Sequence, residues 1–304
     1  MSEFPNALDL VYSTLRELRE QGVELRASTE ALERLANTRT AAPVASSSAA
    51  SPTAAVVASA APARKPAPAP EPMKAAGRVG EAAPVSHFDG PRVAPLEGSK
   101  AERLAAMRGP VLACTKCPHL VKSRTQVVFG VGNPEAELMF VGEAPGEDED
   151  RQGEPFVGKA GQLLTKIIEM MGFPRSDVYI ANVLKCRPDM PPGMPGNRKP
   201  KAEEMQTCLP YLREQIEIIR PRVLVALGAT AMEGLTGSTD SMSRLRGRWH
   251  DFHGTPLMAT YHPAYLLRNQ SLSEKRKVWE DMLMVLERLG KPISEKQRNY
   301  FLSK

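Results

Sequence analysis

The chain has 304 residues, a formal net charge of +5, 27 prolines and only 5% aromatic residues. That length supports one sizeable domain plus accessory sequence, and the mildly basic balance permits a nucleic-acid partner without requiring one. No apolar run approaches the roughly 18–20 residues of a membrane span, and the start MSEFPNALDL lacks the basic and apolar segments of a signal peptide. A cytoplasmic chain is expected, with no membrane association and with its four cysteines reduced.

Residues 1–39 read as an amphipathic helix. Leu8, Val11, Leu15, Leu18, Leu25 and Leu32 follow three–four spacing over residues 6–36. Such a stripe suits a protein partner or self-association, although Gly22 and Thr29 fall on it and weaken it. Residues 40–99 turn to Ala, Pro and Ser, which bury too little apolar surface to offset their ordering entropy, so a disordered tether is expected. The folded domain is expected over residues 100–304. It starts with a short helix at 100–108, a strand at Gln126–Phe129 and a buried strand at Leu138–Val141. A helix at 159–171, a strand at Val178–Leu184, a helix at Ala202–Ile219 and a strand at Val223–Leu227 follow. A short helix from Ala229, a polar loop at 236–249, a strand at Leu257–Thr260 and a helix at Ser273–Leu289 close the chain. Strands alternating with helices predict an α/β fold with a short central parallel sheet and helices on both faces.

Chemistry-bearing residues gather at the expected strand ends. Glu143 follows the Leu138–Val141 strand, and Phe156 lies on the same glycine-hinged loop. A fixed carboxylate beside a stacking aromatic suits a flat heterocycle, and open α/β sheets bind ligands at this edge. Asn182 ends the next strand, and His262 sits between the last strand and Pro263, where the backbone is restrained. The other carboxylates of the loop, Glu147 and Asp148 among them, read as a solvated turn. Cys114 and Cys117 form a CxxC, with Cys186 and Cys208 far downstream. Four thiols with none left over suit a tetrathiolate centre, which zinc or a [4Fe–4S] cluster would accept, and spacing does not choose between them. Buried unligated thiols are the plain alternative. Arg187, Arg198, Lys199 and Lys201 in one loop, and Arg244, Arg246 and Arg248 in another, are solvated charge or a clamp on phosphates.

Several separated motifs, in order, resemble one family. They are Gly142-Glu143-Ala144-Pro145-Gly146 with Glu149-Asp150, Gly153-x-Pro155-Phe156-Val157-Gly158-x-Ala160-Gly161-x-Leu163-Leu164, Asn182-x-x-Lys185-Cys186-Arg187-Pro188, Asn197-Arg198-x-Pro200, and Tyr261-His262-Pro263-Ala264-Tyr265-Leu266-Leu267-Arg268. Over about residues 100–290 the chain resembles the iron–sulfur (type 4) uracil-DNA glycosylases. The resemblance implies a three-layer αβα domain that removes uracil from single- and double-stranded DNA and so initiates base-excision repair, acting at the nucleoid. It implies a structural [4Fe–4S] cluster on Cys114, Cys117, Cys186 and Cys208. It implies Glu143 and His262 as catalytic residues, with Phe156 stacking on the extruded base, Asn182 bonding its polar edge, and the Ala144 amide adding a contact. Glu149 is a secondary acid candidate, and Arg187, Arg198, Arg246 and Arg268 are expected against DNA. The Met190–Gly196 loop is longer and richer in proline than the family's usual link, and no histidine occurs between Arg187 and Leu209. A related subgroup traps the sugar on a histidine in that region, so ordinary turnover without a covalent adduct is expected here. The competing readings are a non-catalytic iron–sulfur nucleic-acid-binding module tied to replication or repair machinery, and a zinc-stabilised nucleotide hydrolase.

Overall fold

The computed structural model describes residues 93–95, 97–191, 194 and 196–302. The expected helix over residues 6–36, and the expected tether as far as residue 92, lie outside the described residues. Packing begins ahead of residue 100. Ala94 is buried, and the amides of Val93 and Ala94 donate to the Glu214 carboxylate at 3.0 and 2.8 Å.

The described chain runs through α1 (Lys100–Leu112), α2 (Pro118–Ser123), β1 (Val131–Gly132), β2 (Leu138–Gly142), α3 (Glu147–Gln152) and α4 (Lys159–Met170). It continues through a 3₁₀ turn at Arg175–Asp177, β3 (Tyr179–Asn182), α5 (Ala202–Ile219), β4 (Val223–Leu227) and α6 (Ala229–Thr236). It ends with α7 (Met242–Leu245), β5 (Trp249–Phe252), β6 (Thr255–Thr260), α8 (Pro263–Arg268), α9 (Leu272–Leu289) and α10 (Glu295–Arg298). The sheet order is β1-β3-β2-β4-β6-β5; β3, β2, β4 and β6 run parallel, and β1 and β5 are antiparallel edges. The sheet is therefore mixed rather than purely parallel.

Period-two alternation along the central strands sorts their side chains into two layers. Met139, Val141, Leu224 and Ala226 join one core with Met107, Leu212 and Ile216 from α1 and α5. Leu138, Phe140, Val223 and Val225 join the other with Leu164, Ile168, Met282 and Val285 from α4 and α9. Helices thus cover both faces, as an αβα sandwich requires.

Two expectations are corrected. Gln126–Phe129 is not a strand. Val127, Val128 and Phe129 are apolar because they are buried, and their neighbouring polar groups are met outside any ladder. Asp150 accepts from the Thr125 amide at 2.9 Å, Val128 donates to the Lys185 carbonyl at 2.8 Å, and the Phe129 carbonyl accepts from Gln215 Nε2 at 3.0 Å. The first strand is instead β1. The 236–249 stretch is not a plain loop, because α7 lies within it and Trp249 begins β5. β5 returns into β6 through His253 and Gly254, both at positive φ (49° and 83°), the backbone of a type I′ hairpin.

Arg246, expected against DNA, is engaged inside the fold. Its Nη2 and Nε donate to the fully buried Asp281 carboxylate at 2.9 and 3.2 Å, and Nη2 also reaches the Lys277 carbonyl. The same carboxylate takes the Thr260 hydroxyl at 2.7 Å, which ties the end of β6 to α9. Removing one partner of such a pair leaves a buried charge uncompensated. Arg246→Met is therefore expected to cost about 3–5 kcal/mol of stability, read as a lower urea midpoint. Unchanged stability with weakened DNA binding would return Arg246 to the DNA surface.

Candidate active site

The parallel register brings the strand ends to one rim. Gly142 pairs with Asn182 and Leu227 with Thr260, so Glu143, Asn182, the start of α6 and His262 emerge side by side at the carboxyl edge. A cavity of about 420 Å³ opens there. Glu143, Ala144, Phe156, Asn182 and His262 line it. Asn197, Arg198, Lys199 and Arg268 make up a polar and basic part of its wall.

Phe156 is held in a costly conformation. Its φ is 56°, in the left-handed region that bulky residues avoid. Arg175 donates through Nη2 to the Pro155 and Phe156 carbonyls at 2.8 and 3.1 Å. On the following residues, Glu149 Oε1 accepts from the Val157 and Gly158 amides at 3.0 Å each, while its Oε2 accepts from the Gly146 amide at 3.1 Å. Glu149 is therefore a clamp on the loop, with both oxygens committed to backbone. Clamped in this way, the Phe156 ring lies 5.6 Å from that of His262, tilted by 32°. It also crowds Gly142, where an added Cβ would overlap both the ring and Asn182 Oδ1.

Asn182 is buried, and its Oδ1 has no hydrogen-bond partner among the described residues. Such an orphaned acceptor costs free energy unless a ligand supplies a donor. Glu143 is half-buried. Burial raises its carboxyl above the usual range, against the hydrogen bond from Thr230 and the nearby charge of Lys199. His262 caps α8. Its Nδ1 accepts from the Ala264 amide at 3.1 Å, which puts the proton of the neutral ring on Nε2. Burial pushes its pKa down to about 4, and the charge of Arg268 pushes in the same direction.

The four cysteines lie in or against one core, with Cys186 and Cys208 buried and Cys114 and Cys117 partly so. Cys117 lies in the field of Cys114, Cys186 in the fields of both, and Cys208 in those of Cys186 and Cys114. Burial pushes the Cys208 thiol up to about 12 and raises those of Cys117 and Cys186. Three cations, Lys116, Arg124 and Lys185, act on the group. Arg124 donates to Cys186 Sγ at 2.9 Å, and the buried Lys185 reaches Gln215 Oε1 at 2.5 Å, with its own backbone amide on Cys208 Sγ at 3.2 Å. Positive charge beside the thiols favours their ionised form, against the burial that raises them. Among the described residues, the group whose candidate ligand atoms all lie within 4.8 Å of one another is His119, Asp189 and Glu204, not the four cysteines. Arg198 already satisfies both of its carboxylates.

The cavity thus brings together Glu143, Ala144, Glu149, Phe156, Asn182 and His262, with Glu149 at its wall through a carboxylate already bonded to backbone. Of the arginines expected against DNA, Arg198 and Arg268 line it. Arg187 turns its Nη2 to Glu147 and the Gly196 carbonyl, at 3.4 and 3.0 Å, and Arg246 is committed to Asp281. Thr230, Arg175 and Arg124 were missed. Thr230 had a signal, since it follows β4 at the same edge as the other strand ends. Arg175 and Arg124 had none, because their partners lie 20 and 62 residues away.

Residues 129–283 match the model of the uracil DNA glycosylase superfamily. A type-4 uracil-DNA glycosylase from Thermotoga maritima is 49% identical over 175 residues, 57% of this chain and 87% of that protein. One from Archaeoglobus fulgidus is 45% identical over 54% of this chain and 83% of that protein. A type-5 uracil-DNA glycosylase from Pyrobaculum aerophilum is more distant, at 33% over 50% and 79%. With its cavity at the sheet's carboxyl edge and this degree of identity across most of its relatives' length, the chain belongs to the type-4 uracil-DNA glycosylase family.

Proposed function

We propose that the protein is a monofunctional uracil-DNA glycosylase that hydrolyses the N-glycosidic bond of uracil flipped out of single- or double-stranded DNA, initiating base-excision repair in the cytoplasm at the nucleoid. The observation that carries this reading is the buried, unpaired Oδ1 of Asn182 at the cavity wall. Uracil brings a donor, N3–H, to that oxygen. Cytosine brings a lone pair instead and leaves the oxygen unpaired, which a site built for a specific hydrogen bond rejects strongly. Phe156 stacks on the extruded ring, and the unstacking cost of a few kcal/mol is offset by these contacts. The Ala144 amide adds a further hydrogen bond to the base.

Cleavage moves the C1′–N1 electron pair onto uracil and leaves an oxocarbenium-like sugar. His262 donates Nε2–H to the developing oxyanion on the base. Glu143, ionised, stabilises the cation and orients the water that adds to C1′. Glu149 contributes by fixing the loop. The domain proposed for residues 100–304 is extended by the packed segment around Val93 and Ala94, with residues 1–39 as a partner or self-association helix and the rest of residues 40–99 as a tether. No helix among the described residues is long and apolar enough to cross a membrane.

Cys114, Cys117, Cys186 and Cys208 would hold a structural [4Fe–4S] cluster. When bound it supplies no step of the hydrolysis; it pins the α2 segment to α5 and the Cys186 loop. Arg124 and Lys185 balance the thiolate charge around it. Purified protein is expected to be brown, absorbing at roughly 400 nm as thiolate-ligated iron does; a colourless protein with stoichiometric zinc would replace the cluster by zinc.

Glu143→Gln and His262→Ala are each expected to lose about 10²–10⁴-fold in excision from a uracil oligonucleotide while keeping fold and colour. The parent protein should turn over repeatedly without a protein–DNA adduct on denaturing gels. Normal excision by both variants sinks the site assignment.

The pH profile follows from the two shifts. Glu143 acts ionised and its pKa is raised, so kcat/KM should fall on acidification with a midpoint above the ordinary 4.5 of a glutamate. His262 acts neutral and its pKa is lowered to about 4, so it adds no break near 6.5. A break near the ordinary histidine value of roughly 6.5 that vanishes in His262→Ala would contradict the neutral donor.

A further inference from the structure

We propose that Arg198 and Glu204 form a strut that sets the Asn197–Lys199 wall of the cavity from the cysteine-bearing segments, making Arg198 a positioning residue and not a phosphate ligand. The inference rests on the reading that the cavity receives a base from DNA.

A guanidinium has five N–H donors, and all five of Arg198 are taken. Nε donates to the Asp189 carbonyl at 2.7 Å. Nη1 donates to the Lys199 carbonyl at 3.1 Å and to Glu204 Oε2 at 3.0 Å. Nη2 donates to Glu204 Oε1 at 2.7 Å and to the Asp189 carboxylate. A phosphate reaching this arginine would have to displace two carboxylates. One of them, Glu204, is 2% exposed and would lose its guanidinium partner, keeping only His119 and the Lys201 amide against its buried charge.

Glu204 is joined to the cysteine-bearing segments on two sides. It stands one turn before Cys208 on α5 and takes His119 Nε2 at 2.7 Å, two residues beyond Cys117. It also accepts from the Lys201 amide at 2.7 Å, fixing the entry to α5. From Arg198 the strut continues into the wall. Asn197 and Lys199 flank it in the cavity lining, and Lys199 pairs with Glu233 at 2.7 Å. Lys199 also acts on Glu143 through its charge. One buried carboxylate thereby connects the segment after Cys117, the helix bearing Cys208 and the wall facing the catalytic carboxylate.

The test uses the full-length protein and its Arg198→Gln, Glu204→Gln and double variants. Three quantities are measured: kcat and KM for uracil excision, binding to a non-cleavable 2′-fluorodeoxyuridine oligonucleotide by anisotropy across NaCl concentrations, and absorbance near 400 nm. The strut predicts that each single variant raises KM about tenfold with kcat little changed, in keeping with the sensitivity of bound geometry to small displacements. Glu204→Gln, which removes a group that attracts no phosphate, should reproduce Arg198→Gln in both KM and salt slope. The double variant should be no worse than either single one, as expected of two parts of one network. Colour should persist in all of them. The proposal is overturned if Arg198→Gln alone loses about one unit of salt slope, the mark of a phosphate contact, while Glu204→Gln binds normally. It is equally overturned if neither variant moves KM. Should Glu204→Gln not fold, Arg198→Gln carries the test through its slope and KM. If the parent protein excises no uracil, the proposed function fails, while anisotropy still reports on the strut.

Discussion

The site depends on a position that has no side chain. Gly142 ends β2, and the space a Cβ would occupy there is filled from one side by Asn182 Oδ1 and from the other by the Phe156 ring. Any other residue would drive the amide and the aromatic apart, and the two groups that face a flat ligand could not converge. The rest of the loop serves this approach. Phe156 pays for it with a left-handed backbone, and Arg175 and Glu149 hold that backbone through hydrogen bonds to the peptide groups around it. Gly161 allows the first turn of α4 to pack against the Phe156 main chain, where a Cβ would again overlap backbone.

Electrostatics divides the loop's acids by environment. Glu149 is surrounded by backbone donors and is committed to structure, and Asp150 is buried on the Thr125 and Gln126 amides. Glu143 has one hydroxyl, from Thr230, and faces the cavity. Partial burial makes its charge expensive, and in the proposed reaction the same burial strengthens its effect on a cation forming beside it. His262 is tuned the opposite way. Its helix-capping bond occupies Nδ1 and burial keeps the ring neutral, leaving a single donor for the ligand.

Much of the architecture was legible because the apolar runs were continuous. Leu138–Val141, Val223–Leu227 and Leu257–Thr260 are buried on both faces, and such runs read as central parallel strands. The same logic failed at Gln126–Phe129, where burial without a ladder produces a similar apolar pattern. It also passed over β5, whose edge strand is only partly buried and so carries a weak alternation. The sort of arginines was the least legible part. A guanidinium in a loop reads identically whether it meets phosphate, Asp281 or Glu204, because its partner is chosen by contacts 6 to 35 residues away.

The sequence by itself determined the order of the four central strands and of the long helices that flank them, the strand-end residues Glu143, Asn182 and His262, and the family. These follow from local pattern and motif, since a residue just past a buried parallel strand must emerge at the sheet's carboxyl edge. Only the tertiary structure decided which charges are spent within the fold and which face the cavity. It gave Glu149 the backbone partners that Glu143 lacks, set the protonated nitrogen of His262, and paired Arg198 and Arg246 with the buried carboxylates of Glu204 and Asp281. Those outcomes rest on burial and on partners distant in sequence, and neither is encoded in any single stretch of the chain.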